Sequence, residues 1–321
     1  MNLSSVIHII IPAFLAAVLV VYFRLALKCK IIDKPNERSS HIKPTIRGGG
    51  IIFPIAILLF SLLNAFAYPY FLLAVLLSGG ISFLDDIKDM PRGLRFGVHI
   101  LAAVLILYQA GIATVPLILI PLAFIFVVGS VNAFNFMDGI NGITGFYSLA
   151  ILLPLMFTEH AGVNIELYTY ILYALIIFLF FNARKKAKCF AGDVGSVSIA
   201  VIICFLLIQR IIATDNYIYI GFLALYLVDT GSTFIQRLVN KEKVFEAHRK
   251  HLFQVLSNEM KLPHLLVAVL FGLLQLAINF ALLYTQADVP GLVVMFVVLI
   301  AAYIIIKAAL LKRHKASLAA S

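Results

Sequence analysis

The polar side chains that could do chemistry are few and fall in short clusters. Asp85-Asp86-Ile87-Lys88-Asp89 puts three carboxylates in five residues. They repel one another unless a cation neutralises them, and desolvation at a membrane boundary sharpens the repulsion. A divalent metal or a proton-transfer role explains them better than an acidic loop that merely ends a helix. In the 130–142 loop, Asn132, Asn135 and Asp138 recur every third residue, and Asn141 follows at the same spacing. Amides beside one carboxylate suit a sugar, nucleotide or metal site, where a turn capped by Asx side chains is the plainer alternative. Gly192-Asp193-Val194-Gly195-Ser196 has an acid among small residues at a helix start. That suits a metal ligand facing a diphosphate, or equally an N-cap.

Three further clusters are basic or mixed. Arg47-Gly48-Gly49-Gly50 could bring backbone N–H groups and a helix N-terminus to an anion, or form a flexible turn. His248-Arg249-Lys250-His251 could bind phosphate oxygens or move protons, or form an interfacial basic patch. A zinc site is not expected there, because no thiolate or third His has ligand spacing. Asp229-Thr230, with Thr233 and Arg237 following, puts a carboxylate at a helix end, for a site or for pairing with Arg237. His8, His99, His160 and His264 read as structural. Hard carboxylate ligands together with basic residues suit Mg²⁺, which keeps waters and substrate phosphates as its other ligands.

These residues need apolar elements to hold them. Of 321 residues 63% are hydrophobic and 12% charged, where a soluble domain is about half apolar and a quarter charged. The composition excludes a soluble enzyme, a disordered chain and a secreted disulfide scaffold. It predicts an all-α, polytopic integral membrane protein, one domain over residues 1–321. Eleven spans are expected near 4–27, 48–67, 69–84, 94–111, 113–129, 141–157, 166–182, 194–212, 216–233, 263–284 and 290–311. The runs are continuous, unlike the alternation of barrel strands. The first span has no basic residue before Arg24, so it does not read as a cleavable signal.

Sorting loops by side puts every Lys and Arg except Arg210 on one side, the run Arg184–Lys188 included. Basic residues favour the cytoplasm, so the N-terminus is expected outside and the C-terminus inside. All the clusters above then fall on the cytoplasmic face. Cys29 and Cys189 would face a reducing compartment, and Cys204 the membrane, so no disulfide is expected.

In this order on one face, Arg47–Gly50, Asp85-Asp86, Asn132-x-x-Asn135-x-x-Asp138-Gly139, Gly192-Asp193-x-Gly195-Ser196, Asp229-Thr230 and the late His motif resemble the polyprenyl-phosphate N-acetylhexosamine-1-phosphate transferases. The resemblance covers essentially the whole chain. It implies transfer of a sugar 1-phosphate from a UDP-sugar to undecaprenyl phosphate with release of UMP, at a cytoplasmic cleft of the bacterial inner membrane, starting O-antigen or another cell-envelope polysaccharide. It implies catalytic roles for Asp85, Asp86 and Asp138, with Asp85 and Asp86 near the lipid phosphate. Asp193 would ligate Mg²⁺, with Mn²⁺ as a substitute. Arg47, Gly48, Gly49, Lys88, Asn132, Asn135, His248, Arg249 and His251 would bind substrate. The lipid phosphate would attack the β-phosphorus directly, with a two-step route through an aspartyl-phosphate as the competing scheme. Expected partners are undecaprenyl phosphate, a UDP-N-acetylhexosamine and the bilayer, with a second copy of the chain as a further candidate and no nucleic acid.

Two departures stand out. Many members carry Asp where this chain has Asn141, which argues against Asn141 as an acid, base or strong metal ligand. The motif Ala247-His248-Arg249-Lys250-His251-Leu252-Phe253-Gln254 lacks the triple His of the phospho-N-acetylmuramoyl-pentapeptide translocases. It resembles the branch that uses 6-deoxy sugars such as N-acetylfucosamine or N-acetylquinovosamine. The rival readings are a pentapeptide-type or phospholipid-type membrane phosphotransferase and a lipid-linked transporter. A transporter predicts ionisable residues near mid-membrane, and almost none occur there.

Overall fold

A computed structural model describes residues 3–33, 44–158, 165–243 and 248–319. His160 and Ala247 lie outside the described residues. The architecture is a helical bundle. Its helices are α1 (Leu3–Lys28), α2 (Ile52–Leu63), α3 (Pro69–Ile87), α4 (Arg92–Gln109), α5 (Ile120–Met137), α6 (Ile143–Phe157), α7 (Ile165–Asn182), α8 (Gly192–Thr214), α9 (Ala224–Val239), the short turn α10 (Leu252–Gln254), α11 (His264–Thr285) and α12 (Val289–Ala319). A two-residue ribbon pairs β1 (Ile32–Asp33) antiparallel with β2 (Thr45–Ile46).

Each of the eleven expected spans falls on a helix, but among the described residues eight helices are long and apolar enough to cross a bilayer. The segments Gly49–Leu63 and Ile143–Phe157 are shorter. Helix α4 carries Arg92, Arg95 and His99 in its first half, which lowers its hydropathy. Pro69 stands at the first position of α3, where its missing N–H costs nothing and its fixed φ suits the helix.

The axis of the bundle is α8. Its residues from Val194 to Ile208 are all buried, and it packs against α2, α3, α4, α5 and α6. Such a helix, apolar on every side, belongs at a core. Its first turn is seated by glycine. A Cβ on Gly50 would lie 2.2 Å from the Cα of Gly195, and one on Gly195 would lie 2.7 Å from the Cα of Gly50. Only two glycines allow the 49–51 turn to lie against α8 this closely. The Gly49 and Gly50 N–H groups donate to the carbonyls of Phe190 (2.8 Å) and Ala191 (3.0 Å).

Inside an apolar bundle every backbone polar group must find a partner. The 3₁₀ segment Tyr217–Leu223 breaks the regular ladder before α9, and α11 supplies the replacement. Gln275 donates to the Gly221 carbonyl (3.0 Å) and accepts from the Leu225 N–H (3.0 Å). It also accepts from the Tyr147 hydroxyl (2.8 Å). The Tyr147 ring stacks on Tyr226 at 3.5 Å. Polar side chains of this kind hold membrane helices together.

Candidate functional site

Three segments converge at the N-terminal end of α8: the Arg47 turn, the last turn of α3 and the first turn of α4. The Asp86 side chain is fully buried. It accepts from the backbone N–H groups of Asp193 (2.9 Å) and Val194 (3.0 Å), and pairs with Arg47 Nε at 2.6 Å. Asp86 therefore caps α8 from another helix, satisfying its orphan donors and complementing its dipole. Asp193 is not the N-cap of its own helix. It sits in the first turn, with its carboxylate 24% exposed. Arg47 approaches one of its oxygens (3.5 Å) and Arg95 the other (3.4 Å). Arg95 also pairs with Asp85, whose other oxygen accepts from the Met90 N–H at 2.8 Å. Two guanidinium groups thus cross-brace three carboxylates.

The glycines beside Arg47 work differently from an anion cradle. The Gly49 N–H is spent on Phe190, so that donor does not reach a ligand. Gly48 sits at φ +80°, and a Cβ there would meet the Tyr22 hydroxyl at 2.5 Å; the same hydroxyl donates to the Arg47 carbonyl at 2.6 Å. The glycines let the chain turn and pack, and so deliver Arg47. Lys88 ends α3 and is exposed.

The expected 130–142 loop is mostly helix. Asn132 and Asn135 lie in α5, which runs to Met137, and only Asp138–Gly142 forms the turn. An apolar window stops at the first polar residues, but an amide on a helix face does not end a helix. Asn132 and Asn135 are neighbours one turn apart on α5, but the polar groups of the series take separate partners. Asn132 donates to the Val128 carbonyl of its own helix (2.8 Å), Asn135 to Ser196 Oγ (3.3 Å), and Asn141 to the Arg184 carbonyl (2.8 Å). Asp138 accepts from the Thr144 hydroxyl and feels the charges of Asp193 and Arg47. Burial pushes its carboxyl up to about 6, while the Thr144 bond favours the charged form.

A second carboxylate centre lies at the same end, joined to the first through that turn. Phe253 lies against Gly139, where a Cβ would meet its ring at 2.8 Å, and Phe136 stacks near His251. Asp229 does not take Arg237 as the alternative reading supposed. It accepts from His251 Nδ1 (3.1 Å), from the Leu252 N–H (2.9 Å) and from the Tyr303 hydroxyl (3.0 Å). Arg237 reaches Glu242 at 3.3 Å and the Lys243 carbonyl. His251 is buried and lies 4.9 Å from the ring of His248. Burial, followed by the neighbouring His251, Arg237 and Lys250, holds His248 down at about 4, so it is neutral near pH 7. Arg249 is half-buried beside it. The His motif is thus an ordered loop whose second histidine is anchored.

Among the described residues no three His, Cys, Asp or Glu side chains are grouped to hold a metal. Mg²⁺ does not need such a cage, since one or two carboxylates suffice beside substrate phosphates and water. Asp193 fits that pattern: its oxygens face only long arginine contacts and remain partly exposed. Asp86 does not fit, because both its oxygens are already taken by N–H donors.

Residue spacing missed three members of these centres. Arg95 read as one more topology charge, yet a cation in the first turn of a helix opposes the dipole and so signals a carboxylate partner. Tyr303 and Lys307 fall in the last apolar run. A lysine inside such a run is expensive, and that cost was the available clue.

The sequence profile described as glycosyl transferase family 4 matches residues 68–211. The chain is 28% identical to an undecaprenyl-phosphate alpha-N-acetylglucosaminyl 1-phosphate transferase of Thermotoga maritima, over 83% of this chain and 85% of that protein. It is 23% identical to a probable undecaprenyl-phosphate N-acetylglucosaminyl 1-phosphate transferase of Bacillus subtilis, over 91% of each. It is also 29% identical to a phospho-N-acetylmuramoyl-pentapeptide-transferase of Petrotoga mobilis, over 61% of this chain and 71% of that protein.

Proposed function

We propose that the chain, which matches the glycosyl transferase family 4 profile over residues 68–211 and is similar to undecaprenyl-phosphate N-acetylglucosaminyl 1-phosphate transferases, is one of the polyprenyl-phosphate N-acetylhexosamine-1-phosphate transferases and transfers an N-acetylhexosamine 1-phosphate from a UDP-sugar to undecaprenyl phosphate, releasing UMP. The observation that carries this reading is the convergence of Arg47 and Arg95 on Asp193 at the start of α8. Arginines bind phosphate oxygens as readily as carboxylates. A diphosphate entering here takes over their donors and leaves the Asp193 oxygens for Mg²⁺. A bound Mg²⁺ would be held by Asp193 and would supply neutralisation of the substrate's phosphate charge.

The remaining roles follow from contacts. Asp86 fixes the first turn of α8 and Arg47 together. Asp85 orients Arg95. The second ionisation of a phosphate monoester lies near pH 6, so most of the lipid phosphate is dianionic at neutral pH. Asp138, poised in the same range, takes the proton of the remaining monoanion. A lipid-phosphate oxygen then attacks the β-phosphorus. The bond from that phosphorus to the α–β bridging oxygen breaks, and the electron pair leaves with UMP. His248 and His251 border the sugar or diphosphate. The site faces the cytoplasm of a bacterial inner membrane, with the N-terminus periplasmic, and its product starts an O-antigen or related envelope polysaccharide.

The test is UMP release by purified protein in lipid with Mg²⁺, undecaprenyl phosphate and a panel of UDP-GlcNAc, UDP-FucNAc, UDP-QuiNAc and UDP-MurNAc-pentapeptide. Release with one of the first three supports the proposal, and the preferred donor identifies the sugar. Release with the pentapeptide donor alone moves the chain to the translocase branch. Silence with all four sinks the activity, and release undiminished by chelation removes the metal.

A further inference from the structure

Helix α12 is mostly exposed along its length. Among its described side chains only Leu292, Tyr303 and Lys307 are buried. The last two are one helical turn apart, on one face, and both turn toward α9. Lys307 is 5% exposed and spends its ammonium on three oxygens: the Tyr303 hydroxyl (2.8 Å), Gln236 Oε1 (3.1 Å) and Thr233 Oγ1 (3.2 Å). The Tyr303 hydroxyl in turn donates a hydrogen bond to Asp229 at 3.0 Å. Asp229, 2% exposed, accepts from His251 Nδ1 and from the Leu252 N–H that opens α10. The chain of contacts runs unbroken from a lysine on an otherwise lipid-exposed helix to the anchored histidine of the 248–254 loop.

A buried carboxylate needs donors and a compensating charge. Lys307, through Tyr303, supplies both. A carboxylate on one ring nitrogen of a histidine fixes its tautomer and aims the other nitrogen. We infer that Lys307 and Tyr303 are positioning residues, which through Asp229 hold His251 and the loop it starts in the geometry the transfer reaction uses. The inference rests on the activity proposed above. It adds that the last helix of the bundle tunes the site without touching substrate.

The experiment compares Tyr303→Phe, Lys307→Met and Lys307→Arg, alone and combined with His251→Ala, in the full-length protein in lipid. Outer-shell partners of this kind change activity about 10–100-fold. Tyr303→Phe is therefore expected to lower kcat by about tenfold or more with its thermal midpoint little changed, Lys307→Met to lower kcat similarly and also the midpoint, since Asp229 loses its compensating charge, and Lys307→Arg to restore part of both. In the His251→Ala background neither change lowers kcat further. Hydrogen exchange of the 248–254 peptide is expected to rise in Lys307→Met and Tyr303→Phe, which is read with or without turnover. Undiminished kcat in Tyr303→Phe overturns the inference, as does a loss that multiplies with His251→Ala or unchanged exchange at 248–254. Absent UMP release from the wild type overturns the activity instead, and leaves the exchange result to decide the coupling.

Discussion

The two carboxylate centres flank the Asp138–Gly142 turn and are built on opposite plans. Around Asp193 the charges are numerous and half-open. Arg47 and Arg95 remain about one-third exposed, and their contacts to Asp193 are 3.4–3.5 Å. Around Asp229 there is one carboxylate, closed off from solvent, with every oxygen assigned to a donor. The open centre can exchange its protein–protein ion pairs for protein–ligand ones at little cost, because half-solvated ion pairs contribute little to stability. The sealed centre cannot, because breaking a buried pair leaves a charge uncompensated. An arrangement of the first kind suits binding and chemistry, and one of the second kind suits geometry.

The contrast is broken most directly by neutralising each centre with an isosteric amide. Asp229→Asn strands Lys307 and removes an acceptor from His251 and Leu252. It is expected to cost about 3 kcal/mol of stability, seen as a lowered thermal midpoint in lipid, before any effect on turnover. An unchanged midpoint would show that the sealed centre is not structural in this sense. Asp193→Asn is the reverse case. It is expected to leave the midpoint near that of the wild type and to lower UMP release by at least about a hundredfold, the scale of removing one stabilising group from an active site. Turnover within a fewfold of wild type would take Asp193 out of the site and leave the open centre without a function.

The same contrast explains what the amino-acid sequence revealed. The helices were legible because each is an apolar run bounded by polar residues, and such runs mark spans wherever lipid is the solvent. Boundaries were less so: α5 runs two turns past its apolar window because Asn132 and Asn135 face partners without breaking the helix. The open centre was legible through Asp85, Asp86 and Asp193, whose crowding in an apolar chain is itself a signal. Of the sealed centre, Asp229 and His251 stand out separately, but nothing in sequence joins them to each other or to Tyr303 and Lys307, because residues at 229, 251 and 303–307 share no spacing rule. In sequence the glycine triplet stands between an anion cradle and a turn, and the structure uses it as the turn. Its purpose is the close seat of Gly50 against Gly195, and a contact across some 145 residues cannot be seen from one end of it.

Asp138 lies between the two centres and gives a finer test of where the chemistry is. Burial raises its carboxyl to about 6, and the Thr144 hydroxyl opposes that rise. Because the folded state holds this proton more tightly than the unfolded chain does, its contribution to stability falls as pH rises from about 4 to about 6. If the carboxylate form acts in the reaction, kcat/KM climbs with pH through about 6. Thr144→Val removes a hydrogen bond to the charged form while leaving the volume nearly unchanged. Such a bond contributes about 1.5 kcal/mol, and one pH unit corresponds to about 1.4 kcal/mol. The acid limb is therefore expected to move up by about one unit with the plateau rate retained. The second ionisation of the lipid phosphate also lies near pH 6, but a threonine buried in the protein cannot shift it. A limb that stays in place in Thr144→Val thus assigns the titration to the substrate, and leaves Asp138 as a fixed contact between the two centres.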